Sequence, residues 1–340
     1  MGILTLRPLG PSAGQRQIMP ESFTTAAPRT AAPVVVLPGF GNCARDYQEP
    51  FGDADAGIVA ALKRRGFQPY VLPIERSDWL QVGRALLTRA YWAGSCTTHP
   101  GYSFYLERLK QLVDKARLET GCDQVDLVAH SAGGWLGRAF IGQQQYKGGT
   151  DSSDDEPHEA VRALVTLGTP HTGTPAEKGR CRTGGALSWV NSMWPGAYFA
   201  DQGVKYVSVG SRAVVGDATV DRRTLPGYAH GSYMEVRQVY HVAVVLWVPR
   251  TQAGGFSDGL SCVESLPLEA LPACKVCGEG HGVEGDAVVP LKSALLEGSE
   301  HVVLDHVLHS MSRIRTFGEK AETEWYGSDS VVDSWLHHLV

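Results

Sequence analysis

The sequence predicts an α/β fold: a mostly parallel central sheet with helices on both faces and lid-like insertions. Three observations predict it. Short β-branched runs such as Pro33-Val34-Val35-Val36-Leu37 suit central strands covered on both faces. Segments with apolar residues at helical spacing alternate with these runs. Finally, the apolar run Gln124 to Val128 leads into Ala129-His130-Ser131-Ala132-Gly133-Gly134, where a strand turns sharply into a helix.

Taken in order, Pro33–Leu37 is the first strand, broken by Pro38-Gly39-Phe40-Gly41-Asn42. A helix carrying Ile58, Ala61 and Leu62 closes at Gly66, and Gln68–Leu72 is the second strand. Leu106, Leu109, Leu112, Val113 and Ala116 recur at helical spacing, with Gly121 as the stop. The strand Gln124–Val128 and a helix to about Gln145 follow. Further strands are expected at Ala163–Leu167, Val204–Val209 and His301–Leu304, and a buried one at Val239–Val248. Ser330–Leu339 reads as a closing amphipathic helix. Two stretches break the alternation, about 174–202 and 217–282, and are expected to be insertions over one end of the sheet. Residues 1–32, with three arginines against the single acid Glu21, read as a disordered leader or transit-peptide remnant. A single domain with those insertions is expected over 33–340.

Composition narrows the function. Of 340 residues, 43% are hydrophobic and 20% charged, ordinary for a globular chain. The net charge of −5 and the absence of a basic-aromatic stripe argue against nucleic acid as a partner. No apolar run is long enough to cross a bilayer, so the chain is expected to be soluble or to touch a membrane peripherally. The acidic run at 151–156 reads as a solvated loop. Cys274 and Cys277 form a lone CxxC with His281 nearby. A closed zinc site needs four ligands, so no metal and no cofactor is expected.

The chemistry-bearing residues centre on Ser131, in the pattern Ala-x-Ser-x-Gly. A serine hydroxyl is a weak nucleophile until a base takes its proton and an acid orients that base. On such an elbow the partners follow in the order serine, acid, histidine. Asp286, in Glu284-Gly285-Asp286-Ala287-Val288-Val289-Pro290, is the expected acid. His309, past the last strand, is the expected base, with His306 as the alternative. His130 points away from its neighbour and is expected to pack beside the elbow. The Phe40 and Ala132 N–H groups are the expected oxyanion donors. Trp189, Trp194, Tyr198 and Phe199 are expected to bind a large apolar substrate.

Leu167-Gly168-Thr169-Pro170-His171-Thr172-Gly173 adds a resemblance. With this segment the chain resembles the lipase-like branch of the α/β-hydrolases, where a Gly-Thr-Pro-His-x-Gly segment follows the strand after the nucleophile helix. The resemblance implies Ser131, Asp286 and His309 as triad and Phe40 and Ala132 as oxyanion donors. Trp325-Tyr326-Gly327-Ser328, with the helix after it, resembles plant and algal plastid members, some of which remove phytol from chlorophyll. That implies a chloroplast location and, as the sharpest alternative, a chlorophyllase. The broader expectation is a serine esterase or lipase for a large lipophilic ester. A receptor that binds a lipophilic ligand without turnover is the reading from another class. His171 precedes the acid in the chain and is expected to be structural, shaping the pocket mouth.

Overall fold

The structure is a computed structural model, which describes residues 32–143, 158–172, 183–236, 280–311 and 324–339. All of them belong to one compact unit, Ala31–Val340. The expected leader, the acidic run, the strand at Val239–Val248, the Cys274/Cys277 pair and much of both insertions lie outside the described residues.

Among the described residues, six parallel strands form the main sheet: β1 (Val34–Leu37), β2 (Pro69–Val71), β3 (Val125–His130), β4 (Val161–Leu167), β5 (Lys205–Ser211) and β8 (Glu300–Leu304). Their order is β2-β1-β3-β4-β5-β8. Two short pairs flank the sheet. β6 (Val214–Val215) runs antiparallel to β7 (Glu284–Gly285), and β9 (Val307–Leu308) runs parallel to β10 (Glu324–Trp325).

Period-two alternation divides the strands between two cores. Val35, Leu37, Leu127, Ala129 and Leu164 face one side. There they meet α2 (Ser103–Thr120), α3 (Ala132–Gly142) and α4 (Ala186–Met193). Val34, Val36, Val128, Val165 and Val207 face the other. That side is covered by α1 (Ile58–Arg64), α5 (Leu225–Val236) and α6 (Asp329–Leu336). This is the α/β-hydrolase fold the sequence predicts. The leucine stripe of α2 is buried as expected at Leu106, Leu109, Val113 and Ala116, and Gly121 ends the helix at φ 68°. Neither the 3₁₀ stretch Arg76–Leu87 nor α5 was legible as an element.

Strand order reverses between β1 and β3, so the loops leaving their carboxyl ends diverge and leave a crevice. Gly39-Phe40 leaves one strand and Ser131 the other. No helix among the described residues is long and apolar enough to cross a membrane.

Candidate active site

Ser131 occupies the turn between β3 and α3 at φ 52°, ψ −126°. A non-glycine residue held there stores on the order of 1–3 kcal/mol, which the surrounding structure must offset. The Ser131 N–H is fixed on the Leu167 carbonyl at 2.9 Å. Room is made from the β1 side, since a Cβ on Gly39 would lie 2.7 Å from the Ser131 Cβ. The elbow is therefore a close contact of two strand ends.

Asp286 follows β7, whose pairing with β6 carries the acid to the carboxyl edge. Its turn is strained as well, with Ala287 at φ 76°. Tyr233 of α5 holds that turn: its hydroxyl accepts the Ala287 N–H at 3.0 Å and donates to the Val214 carbonyl at 2.8 Å. His309 follows β9, and its N–H donates to the Asp286 carbonyl at 2.9 Å.

These elements bring Ser131, His309 and Asp286 into line. His309 Nε2 lies 3.0 Å from Ser131 Oγ, and Nδ1 lies 2.8 Å from Asp286 Oδ2. All three are buried. Asp286 is enclosed by donors: Oδ1 accepts the Val288 and Val289 N–H groups at 3.0 and 2.7 Å, and Oδ2 accepts the Tyr326 hydroxyl at 2.9 Å. Burial pushes the Asp286 carboxyl up, but His309 and the two N–H groups outweigh it and hold it below the usual range. Burial, with Asp286 next, pushes the Tyr326 hydroxyl well above its ordinary value, so it stays a donor. The line can move a proton from Ser131 to His309 while an ionised carboxylate steadies the imidazolium.

The remaining expected residues divide. Phe40 leaves β1 beside the elbow, and its ring packs 5.0 Å from that of Trp79, whose Nε1 donates to the Asn42 carbonyl at 2.7 Å. Ala132 opens α3, where a first-turn N–H has no carbonyl of its own helix to bond. His306, the alternative base, is exposed. His130 packs beside the elbow, its ring 4.8 Å from that of His309. Burial, with His309 next, holds it down to about 3. His171 sits inside the molecule. It is fully buried, its Nε2 is 3.1 Å from Thr166 Oγ1, and its N–H donates to the Ser293 carbonyl.

The four expected substrate-binding aromatics, Trp189, Trp194, Tyr198 and Phe199, pack away from Ser131. Trp194 packs against Gly142, the last residue of α3, about 15 Å of helix rise from Ser131. Its ring occupies the space a Cβ on Gly142 would need, and Trp189 packs edge-on against it at 5.3 Å. The Phe199 carbonyl accepts the Val204 N–H just before β5 begins, and Tyr198 adjoins Phe199 at 5.0 Å. The sheet is parallel, so Tyr198 and Phe199 lie at its amino edge and Ser131 at its carboxyl edge. Aromatic richness signalled a packed segment, not a substrate wall.

Sequence reasoning also missed residues. Tyr326 and His309 meet at Asp286 because Leu308 and Trp325 pair in register, so the residues after them lie side by side. Gly168, at φ 56°, lies under the same group: a Cβ there would be 2.6 Å from Asp286 Oδ2 and 3.1 Å from His309 Nδ1. The signal for Gly168 was its place directly after β4. A cavity of about 460 Å³ borders the site, lined by Asn42, Tyr47, His130, Ser310, Met311 and Trp325 together with the ion-paired Arg45, Glu49, Asp46 and Arg76.

No protein-family model matches the chain, and no curated protein matches it in sequence. Among solved structures it is similar to the mature lipase BlEst2 of Bacillus licheniformis, at 11% identity and TM-score 0.47, over 93% of this chain and 95% of that one. It is also similar to EstA of Clostridium botulinum, at 12% identity and TM-score 0.41, over 91% and 87%. The lin2722 product of Listeria innocua matches at 12% identity and TM-score 0.33, over 54% of this chain and 71% of that chain.

Proposed function

We propose that the chain is a serine hydrolase of carboxylic esters. The observation that carries the reading is the single hydrogen-bonded line from Ser131 Oγ through His309 to Asp286 Oδ2, at the crevice where strand order reverses. Ser131 Oγ attacks the ester carbonyl carbon as its proton passes to His309 Nε2. The carbonyl oxygen becomes an oxyanion, held by the N–H groups of Phe40 and Ala132. His309 gives the proton to the departing alcohol, leaving an acyl group on Ser131. Water, deprotonated by His309, then releases the acid and restores the serine. Losing one oxyanion donor costs roughly 100- to 1000-fold in rate.

A lipophilic ester is the substrate class we favour. Leu80, Leu87 and Trp92 are exposed, at 60%, 90% and 56%. They belong to residues 79–93, a stretch with Arg84 and Arg89 and no acid, which Trp79 roots on Phe40. An apolar, cationic stretch joined to the oxyanion loop suits a substrate presented at a lipid surface.

A fluorophosphonate probe tests the mechanism. It should label the native protein and leave Ser131→Ala unlabelled, whereas a ligand receptor without turnover would release no product from any ester. Chlorophyll, a galactolipid, a triglyceride and a short p-nitrophenyl ester, assayed together, test the substrate class. Turnover of the short ester alone would remove the lipophilic assignment.

A further inference from the structure

His130 precedes Ser131 in the chain, yet its ring serves a different set of atoms. Nε2 lies 2.7 Å from the backbone carbonyl oxygen of His309, and Nδ1 lies 2.7 Å from the Tyr47 hydroxyl. That hydroxyl accepts the Gly39 N–H at 2.8 Å and the Asn42 side-chain amide at 3.1 Å. Tyr47 and His130 are each 1% exposed.

Donor and acceptor chemistry fixes every hydrogen in this chain of bonds. A carbonyl only accepts, so His130 Nε2 carries a proton. Burial keeps the ring neutral, so Nδ1 is bare and accepts the Tyr47 O–H. The Tyr47 oxygen already faces two donors, which leaves its own hydrogen no other partner. Protonating Nδ1 would set two hydrogens between one nitrogen and one oxygen. His130 therefore cannot compete for the proton that His309 takes, although the rings are 4.8 Å apart.

The two ends of the chain are the two parts that must meet at Ser131. Gly39 carries Phe40, the oxyanion loop, and the His309 carbonyl belongs to the base itself. We propose that Tyr47 and His130 are positioning residues that lock the oxyanion loop to the base loop, so that the Phe40 N–H and the His309 imidazole reach Ser131 in register. This rests on the reading of Ser131, Asp286 and His309 as a hydrolytic triad. Neither residue touches the reacting atoms. Their effect falls on the transition state, where loop placement matters, and not on substrate capture.

The test compares the native protein with Tyr47→Phe, His130→Gln and the double variant on a soluble ester. Tyr47→Phe keeps the ring and deletes only the hydroxyl. Its kcat should fall roughly 10- to 100-fold with KM within about threefold, and affinity for a boronic acid, which forms a tetrahedral adduct, should fall in parallel. The double variant should lose little more than the worse single one, because one chain of bonds is broken twice. A Tyr47→Phe kcat within about twofold of native, a loss confined to KM, or single losses that multiply would each overturn the positioning role. A native protein that neither turns over esters nor labels at Ser131 overturns the triad reading, and the role with it. If Tyr47→Phe does not fold, imidazole nitrogen NMR of the native protein decides. His130 should show one fixed tautomer, protonated at Nε2, from about pH 5 to about pH 9, and titration in that range or an Nδ1–H tautomer would overturn the proposal.

Discussion

The two ends of α3 are both tightly packed, but by different means. At its start, Ser131 is held at φ 52° by directed hydrogen bonds, with His309, Asp286, Tyr326 and His130 each satisfied by a specific partner. At its end, Gly142 lies under the Trp194 ring. Arg138 ties the helix to α4, donating to Asn191 Oδ1 at 2.8 Å and the Trp194 carbonyl at 2.7 Å. Burial brings the Arg138 guanidinium down to about 10. The first end spends its packing on the placement of a few polar atoms, the second on holding a helix against its neighbour. A fault at the first should appear in rate, and a fault at the second in stability.

The largest expected effect is at the acid. Asp286→Asn should lower kcat by about 10⁴-fold, because the imidazole loses the carboxylate that sets its tautomer. Steady-state kinetics on a soluble ester checks this, and a loss below tenfold would remove Asp286 from the triad.

A glycine pair then separates the two ends directly. Gly168→Ala puts a methyl 2.6 Å from Asp286 Oδ2 in a left-handed conformation, and the resulting shift should cost kcat roughly 100-fold. Gly142→Ala should cost about 1–3 kcal/mol of unfolding free energy by overpacking against Trp194. Its kcat per fluorophosphonate-labelled site should stay near native. Denaturant unfolding and kinetics on both variants break the comparison if the two effects appear in the same readout.

The His130 ring is held from 6.5 down to about 3 in the folded protein, so between those values the unfolded chain binds the extra proton. Stability is full above about pH 6.5 and should fall toward pH 3, at up to about 1.4 kcal/mol per pH unit from this group. His171, also held well below 6.5 by burial, adds to the slope in the same direction. Asp286, held below its ordinary value, adds a loss at lower pH, as its carboxylate is protonated. His130→Gln should remove one proton from the uptake on unfolding, and an unchanged slope would contradict the buried neutral ring.

The smallest effect should come from Tyr198→Ala, half exposed at the amino edge. Stability should change by less than about 0.5 kcal/mol, and KM for any ester turned over should hardly move. A large rise in KM for a bulky ester would return this side chain to the substrate site.

The fold was legible because its signals are local. Val34–Leu37 reads as a buried strand and the α2 leucines as one face of a helix within a few residues of chain. The elbow is compressed into Ala129–Gly133, and the chain order of Asp286 and His309 follows from it. Tyr47, Tyr233 and Tyr326 were illegible as partners, because their bonds reach His130, Ala287 and Asp286, between 40 and 83 positions away. The aromatics of 189–199 were misplaced for the same reason: composition gives a segment's character but not the edge of the sheet on which it lies.

By itself the sequence determined which strands and helices form and which residue types carry the chemistry, since periodicity and turn chemistry act over neighbours. Only the tertiary structure decided which polar atoms meet. A hydrogen bond needs its two atoms within about 3 Å in a set orientation. That distance is reached here through the register of β6 with β7 and of β9 with β10, and through the crevice between β1 and β3, none of which the order of residues specifies on its own.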